Sequence, residues 1–511
     1  MINHKSLSIR LFSVLLLLTL FFAVTGQAVA VDQIKITVDG KVLNFDVPPT
    51  TINGRTLVPV RAIFEALGMK VDWDNATQTV IGIKGNTKIE LPVDKTFARK
   101  NGETLKLDVP ATIIGNRTLV PARFVAESLD CYVDWDGITS TVIVSSSPLL
   151  KVHFIDVGQG DAIFVDYGDY DILIDAGDND KGQSVVNYLK QLNTDDLELV
   201  IATHPDADHI GGLDDVLKAY KVERIIDSGT VSTTKTYQDY IAAINEEKNF
   251  GAEFTYDDNL TIQLGDGISL DIIETGDNNG SNNSNSILAR LKYKNTEFLL
   301  TGDMDQKVEA TLSGIDLSAD VLKVGHHGSK TSTSEALLDQ VKPKVAVISA
   351  GQGNSYGHPH PETLTRLNKY TKNIYGTWNS GNIIITTDGI NYYVNSKKVI
   401  ASEGNQIQPI SNLSTTNSSV KIKSIDLEKE IVIIENTSMK EVDLTGWKLV
   451  SVTGNQTYLF PTSYIIKAGS SITIASGKAT GNLKWTGAYI WNNDGDQGQL
   501  YDSSGKMVSN Y

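Results

Sequence analysis

Four side chains able to hold a cation fall within six residues of the run Ala202-Thr-His204-Pro-Asp206-Ala-Asp208-His209-Ile-Gly-Gly212, directly after the apolar stretch Leu199–Ala202. Polar groups this dense at the end of a buried strand are costly unless they converge on a charge, and a cation satisfies two imidazoles and two carboxylates together. The Gly211-Gly212 pair lets the next helix start close to them. Two more histidine pairs follow, His326/His327 and His358/His360, and all histidines except His4 lie between residues 153 and 360. Clustering of the commonest metal ligand beside carboxylates marks one metal-binding region. A solvated turn with capping aspartates is the plain alternative for Asp206 and Asp208, and the two histidines at this spacing outweigh it.

The chemistry open to such a cluster is hydrolysis. Two divalent ions roughly 3.5–4 Å apart lower the pKa of a shared water toward neutrality and clamp the attacked and departing oxygens. The chain has no phosphate-cradling P-loop, and its one cysteine, Cys131, lies outside the region, so metal-activated water is the leading nucleophile. Either ring of His326/His327 can turn inward after the strand Asp320–Val324, and His327 is favoured. His358 can orient substrate, protonate a leaving group or merely pin its loop. Asp161 can act from behind the cluster. Asp175, in an Ile-Asp-Ala-Gly turn, can hold a ligating histidine in its tautomer or serve the turn alone. His153, followed by Phe154 in a strand, reads as a packed residue rather than a ligand.

Several ordered motifs carry a family resemblance: Phe154-Ile-Asp156-Val-Gly-Gln-Gly-Asp161, Leu173-Ile-Asp175-Ala-Gly177, Thr203-His-Pro-Asp-Ala-Asp-His209, Leu299-Leu-Thr-Gly-Asp303, Val324-Gly-His-His-Gly-Ser329 and Tyr356-Gly-His-Pro359. Over about residues 149 to 396 the chain resembles the metallo-β-lactamase superfamily, and within it the extracellular nuclease-like domain of competence proteins of the ComEC type. The superfamily signature His-x-His-x-Asp-His appears with Asp206 at the second histidine, a departure the subgroup shares. The resemblance implies His204 and Asp206 on one ion, Asp208 and His209 on the other, and Asp303 bridging, with His327 completing the second ion and His326 nearby. The expected catalytic residues are Asp208, His326 and His358, with Asp161 and Asp175 expected in supporting places. A second departure is Asn282-Asn-Ser-Asn-Ser286, which has no histidine where many members supply one, so the first ion has an open or weaker sphere. The expected cofactors are two divalent ions, zinc or manganese, and the oxygen-rich ligand set favours manganese or magnesium relative to a nitrogen-rich site. The implied activity is phosphodiester hydrolysis, above all of extracellular DNA. Hydrolysis of another phosphoester or a lactone, and a wall-binding protein with an inactive metal domain, are the competing expectations.

The elements that must position these groups alternate between apolar strands, such as Lys151–Val157, Ala162–Val165 and Ile172–Ile174, and helix-like segments, the pattern of layered α/β structure. At 511 residues the chain is too long for one core. The expected organisation is multidomain: an α+β repeat module, then an αββα metallo-β-lactamase sandwich, then an all-β immunoglobulin-like sandwich. Ile52–Asp74 recurs as Ile114–Asp136 with a shift of 62 residues, Arg55-Thr-Leu-Val-Pro59 matching Arg117-Thr-Leu-Val-Pro121 and Asp72-Trp73-Asp74 matching Asp134-Trp135-Asp136. This duplicated module, residues 33–146, resembles the copper amine oxidase N-terminal stalk domain. It holds no histidine, so a copper site lacks ligands, and it reads as a structural or wall-facing spacer. The hydrolase domain is placed at 149–400 and a polar linker at 401–419. Residues 420–511 resemble the lamin-tail domain, with their tryptophans expected in the core.

Lys5 and Arg10 ahead of the apolar run Leu11–Val24, then Ala28-Val29-Ala30, read as a signal peptide over residues 1–30. The run is shorter than the roughly 20 residues a bilayer span requires, so a retained anchor is the lesser alternative and no stable membrane insertion is expected after cleavage. The expected location is secreted or at the surface of a Gram-positive-type bacterium, with cell-wall contact through the flanking domains. One cysteine permits no internal disulfide. A net charge of −16 excludes broad electrostatic capture of nucleic acid. Any DNA is therefore held by the ions and a few local cations such as Lys323 and Lys330.

Overall fold

Between Leu150 and Val394 the apolar runs form two mixed sheets packed face to face. The computed structural model describes residues 34–256, 259–265, 267–273, 275, 281–396, 398–399, 420–427, 429–438, 440–451, 456–461, 464–491, 498–502 and 507–510; the expected signal peptide and the 401–419 linker lie outside them. In the first sheet the strands run in the order Glu253–Tyr256, Val222–Asp227, Leu197–Ala202, Tyr170–Ile174, Ile163–Tyr167, Leu150–Phe154, Ile383–Thr387 and Tyr392–Val394. In the second they run Leu260–Gly265, Ile268–Ile273, Leu288–Tyr293, Thr296–Leu300, Val321–Lys323, Val345–Ile348 and Ile374–Gly376.

Alternate residues of each strand enter different layers. Ile172, Ile174, Leu199 and Ile201 join the core shared with Leu291, Phe298, Val345 and Val347 of the opposite sheet. Leu173, Val200 and Ala202 face the other way, under Val185, Leu189, Val216 and Tyr240 of the helices Gly182–Leu192, Leu213–Ala219 and Lys235–Phe250. The second sheet is covered in the same manner, Leu322, Ala346 and Ile348 packing under Leu337, Leu338, Leu364 and Leu367 of the helices Glu335–Val341 and Pro361–Tyr370. Strands buried on both faces are apolar without alternation, which is why Leu199–Ala202 reads as a continuous run. The result is the helix–sheet–sheet–helix sandwich expected.

Each sheet has a parallel half, Tyr170–Ile174 beside Leu197–Ala202 and Val222–Asp227 in one, Thr296–Leu300 beside Val321–Lys323 and Val345–Ile348 in the other. Parallel strands deliver their following loops to the same edge, and ligands of open α/β sheets sit outside the carboxyl ends of such strands. Asp175, His204, Asp303, His327 and Ser349 each lie within four residues after one of these strands, so the fold gathers them at one edge.

The N-terminal module consists of two interleaved copies. Arg55–Pro59 of the first copy pairs antiparallel with Arg117–Pro121 of the second, and each strand leads through its proline into a short helix, Val60–Ala66 or Ala122–Glu127. Lys35–Val38 pairs with Thr141–Ser145 from the far end of the module. Arg55 bonds Asp108 at 2.9 Å and Arg117 bonds Asp46, two contacts that the same shift of 62 residues exchanges. Each is exposed and worth little alone, but together they tie each copy to the other.

The chain divides into two compact units at Pro409/Ile410, and the duplicated module lies in the same unit as the sandwich. Asp134 accepts from Lys151 Nζ at 3.1 Å and from Thr386 Oγ1 at 3.3 Å, Thr37 Oγ1 lies 3.1 Å from the Tyr393 hydroxyl, and Asn391 donates to the Gly40 carbonyl at 2.7 Å. The module is therefore seated on the strands Leu150–Phe154 and Ile383–Thr387 and the following strand, rather than only spacing the sandwich from something else. The second unit is all β, with Val420–Asp426, Ile431–Asn436 and Ser471–Ala475 in one sheet and Lys448–Ser451, Gln456–Leu459 and Gly498–Tyr501 in another. Trp447 and Trp491 are buried between them with Leu449, Ile434 and Ile474.

Candidate metal centre

The strand Leu197–Ala202 ends at Thr203, whose backbone N–H and hydroxyl donate to the two oxygens of Asp175 at 2.9 and 2.6 Å. The chain then turns through His204 and Asp206 into a single helical turn, Ala207–Ile210, which carries Asp208 and His209. A Cβ on Gly212 would stand 2.3 Å from the Ala176 carbonyl oxygen, so only glycine lets the next helix begin against this turn, as the sequence implied. Gly160, at φ +131, meets the same turn: a Cβ there would lie 2.3 Å from the Asp208 carbonyl oxygen.

From the opposite sheet, Asp303 follows Thr296–Leu300 and is buried. His326 and His327 follow Val321–Lys323 in left-handed backbone, φ +49 and +52. Left-handed non-glycine residues are strained and persist where the surroundings over-determine them. The turn sends the two rings apart. His327 is buried, its Nε2 lying 3.2 Å from Asp208 Oδ2 and 3.3 Å from Asp303 Oδ2. His326 stays half-exposed, 3.7 Å from Asp303 Oδ2 and 3.4 Å from the Asn283 amide nitrogen.

His209 completes the convergence, its Nε2 3.4 Å from Asp303 Oδ1 and its Nδ1 bonded to Asp175 Oδ2 at 2.8 Å. Asp175 thus sits behind a histidine, where its carboxylate accepts from the ring Nδ1. His204 lies with its ring 4.1 Å from that of His209 and its Nε2 3.5 Å from Asp206 Oδ2. Its Nδ1 has the hydroxyls of Thr203 and Ser286 at 3.1 and 3.3 Å. Ser286 also accepts from the Asp303 backbone N–H at 3.1 Å, and Asn282 donates to Asp206 Oδ1 at 2.6 Å. The histidine-free segment is therefore part of the centre, where its hydroxyl and amide buttress three of the side chains. The polar run Asn282–Ser286 ahead of an apolar strand was the signal for this.

Whether these residues suit cations is decided by their unpartnered atoms. His204 Nε2, His209 Nε2, His327 Nε2 and Asp303 Oδ1 are all buried without a hydrogen bond. Buried polar atoms are rarely left so, and here they point toward one another. The electrostatics agree. Burial alone would push the His209 and His327 imidazoles down, yet Asp303 and its neighbouring carboxylates draw both well above the ordinary histidine value. Burial would raise Asp303, and those two histidines hold it well below the usual carboxylate range. The cluster thus calls for positive charge at its centre.

Asp161, His209, Asp303 and His327 each bring one ligand atom within 4.8 Å of the others. For Asp161, Oδ2 is paired with Lys323 Nζ at 2.7 Å, while Oδ1, 3.3 Å from His327 Nδ1, is a further buried atom without a hydrogen bond. That nitrogen also lies 3.1 Å from the Ser349 carbonyl oxygen. Asp161 thus flanks His327 on its Nδ1 side, while Asp208 reaches the Nε2 side. Burial raises the Asp161 carboxyl, but Lys323, His327 and His209 together bring it down to about 2. Lys323 corrects an expectation. It is fully buried on an interior strand and paired with Asp161, so it is no surface cation for a polyanion; Lys330 remains exposed.

His358 lies on the rim, its ring 5.4 Å from His326 and 6.2 Å from His327. Burial and the nearby histidines push it down to about 4, which leaves it neutral near pH 7. His153 is elsewhere, buried with its Nδ1 2.8 Å from the Tyr188 hydroxyl.

Residues 155–352 match the family model described as the metallo-beta-lactamase superfamily. The central sandwich is a metallo-β-lactamase domain. That fold implies divalent metal, and the buried Asp/His cluster of the metallo-β-lactamase domain can hold it. Residues 37–144 match the copper amine oxidase N-terminal domain and residues 414–511 the lamin tail domain. The chain is 34% identical over 256 residues to ComE operon protein 3 of Bacillus subtilis and 33% identical over 243 residues to recombination protein 2 of Haemophilus influenzae. These matches take in 46% and 47% of the chain but span 32% and 29% of the two relatives. Among solved structures, the metallo-beta-lactamase fold protein YhfI of Bacillus subtilis aligns at a TM-score of 0.30 and 12% identity, covering 45% of this chain and 96% of that one. No described helix is long and apolar enough to cross a membrane.

Proposed function

We propose that the metallo-β-lactamase domain is a metal-dependent phosphodiesterase acting on DNA, in an exported protein that works outside the cell. The observation that carries the hydrolytic part is the convergence of His204, His209, His327 and Asp303 through unpartnered buried atoms at the carboxyl edge of two sheets. Its likeness to recombination protein 2 of Haemophilus influenzae supports DNA as the substrate. His204 and Asp206 would hold one divalent ion and Asp208, His209 and His327 the other, with Asp303 between them. When bound, such ions lower the pKa of a shared water and stabilise charge on the attacked and departing oxygens.

The protein's own groups do the rest. Asp175 and Thr203 fix the orientation of His209, and the Ser349 carbonyl, with the Asp161–Lys323 pair beside it, fixes that of His327. Asn282 holds Asp206 toward His204. His326 and neutral His358 stand at the opening, placed to donate hydrogen bonds to a phosphate oxygen and to orient it. With two carboxylates where a histidine-rich site has one, manganese or magnesium should serve at least as well as zinc.

The test is to reconstitute metal-free protein with Mn²⁺, Mg²⁺ or Zn²⁺ and assay single- and double-stranded DNA, bis-p-nitrophenyl phosphate and a lactone panel at several salt concentrations. Metal-dependent DNA cleavage, weakened by salt and with little sequence preference, is expected. Turnover of a lactone without cleavage of any phosphodiester would reject the proposal.

A further inference from the structure

The loop between the strand Val345–Ile348 and the helix Pro361–Tyr370 is tied down by one side chain. Asn354 Oδ1 accepts from the backbone N–H of Tyr356 at 3.1 Å and of His358 at 3.0 Å. Its amide nitrogen donates to the carbonyls of Gly351 at 2.8 Å and His358 at 2.5 Å. Gly357, at φ +73, supplies the left-handed step that such a tight loop requires. A loop fixed in this way presents its side chains in one place.

What it presents is an aromatic face. Tyr356 is 65% exposed, and its ring lies parallel to that of His358, with centroids 5.7 Å apart and 23° between the planes. His358 in turn neighbours His326 and His327. A row of rings thus runs from solvent to the metal centre, with one face of Tyr356 against His358 and its outer side open. Exposed Lys330 stands on the same rim, where its backbone N–H donates to His360 Nδ1 at 3.1 Å.

We propose that Tyr356, backed by His358, is a nucleobase-stacking subsite that takes the base of a nucleotide flanking the scissile phosphodiester. A purine or pyrimidine is the flat, weakly polar ring that such a face accepts, and stacking of this kind tolerates any base. The need is also electrostatic. A chain with a net charge of −16 draws little binding from a general field, and with Lys323 buried the rim has fewer cations than its sequence promised, so an uncharged contact must supply part of the grip. This subsite rests on the phosphodiesterase proposal.

The experiment uses the full, metal-loaded chain and two oligonucleotides of equal length, one of thymidine and one of abasic sugars with the same phosphodiester backbone. Wild type should prefer the base-bearing strand in kcat/KM by about 5- to 100-fold, the range of stacking on one aromatic ring. Tyr356→Ala should collapse that preference toward one, through KM, and Tyr356→Phe should keep it. A strand carrying 2-aminopurine gives a readout independent of turnover: its fluorescence should be quenched on binding to wild type and Tyr356→Phe, and not on binding to Tyr356→Ala. An unchanged preference in Tyr356→Ala, or an equal loss on both strands, overturns the subsite alone. A wild type that cleaves neither strand and quenches no 2-aminopurine overturns the phosphodiesterase proposal as well.

Discussion

His209 donates from Nδ1 to Oδ2 of Asp175 across 2.8 Å, so its Nε2 is the nitrogen turned toward Asp303. Asp175 comes from a different strand end and spends its other oxygen on the Thr203 backbone N–H. Its carboxylate therefore selects both the tautomer and the angle of the ring. Asp175→Asn keeps the size of the side chain but loses the charge, and metal affinity should fall about 10- to 100-fold. Competition against a chelator of known affinity measures this, and an unchanged affinity would show that Asp175 serves the turn alone.

Asp303 lies between the rings of His209 and His327, within 3.4 and 3.3 Å of their Nε2 atoms. A carboxylate shared by two cations cannot be removed without cost to both. Elemental analysis of wild type should find two divalent ions per chain, and Asp303→Ala should retain one or none. Two ions in the variant would place Asp303 outside the coordination.

The buried pair Lys323–Asp161 is a liability if halved. Lys323→Met leaves the Asp161 carboxylate buried without its cation, and breaking such a pair costs about 3–5 kcal/mol. Urea denaturation should show that loss, with part of it recovered in Lys323→Met/Asp161→Asn. A single variant within about 0.5 kcal/mol of wild type, the usual range of a surface substitution, would mean the ammonium escapes to solvent.

His153 gives an acid-sensitive increment to stability. Burial pushes its imidazole down to about 3 from an ordinary 6.5, so the unfolded chain takes up a proton that the folded chain refuses. The folded state therefore holds this increment fully above pH 6.5 and loses it as the pH falls toward 3, at about 1.4 kcal/mol per pH unit for one proton. In metal-free protein, His153→Phe should flatten the decline in urea midpoint between pH 6 and 4. Parallel profiles for the two proteins would rule His153 out as the source.

Much of the centre could be read in the sequence because its candidate ligands come from runs a few residues long at strand ends. His204 to His209 is one turn of chain, and the preference for His327 over His326 agrees with the ring the left-handed backbone buries. Lys323 misled because lysine is so seldom fully buried, and its partner Asp161 is distant in sequence. The Ser349 carbonyl behind His327 was illegible for a related reason, since a backbone acceptor leaves no trace in residue identity. In the N-terminal module the repeat announced two copies, while their interleaving depends on strand pairing over more than a hundred residues, which local pattern does not encode.

Asp72 and Asp134 occupy the same place in the two copies, yet they have parted company. Each still accepts its following tryptophan's N–H at 2.8 Å, but Asp72 is exposed whereas Asp134 is the joint to Lys151 and Thr386. Two halves alike in sequence are thus unlike in employment: one has been taken up as a hinge-post and the other left idle. The module has a front and a back that its internal symmetry conceals, and exchanging its halves would keep the two arginine–aspartate contacts between copies while moving the attachment point to a new address. Asp72 is in effect a built-in control, the same residue in the same local setting without the neighbour.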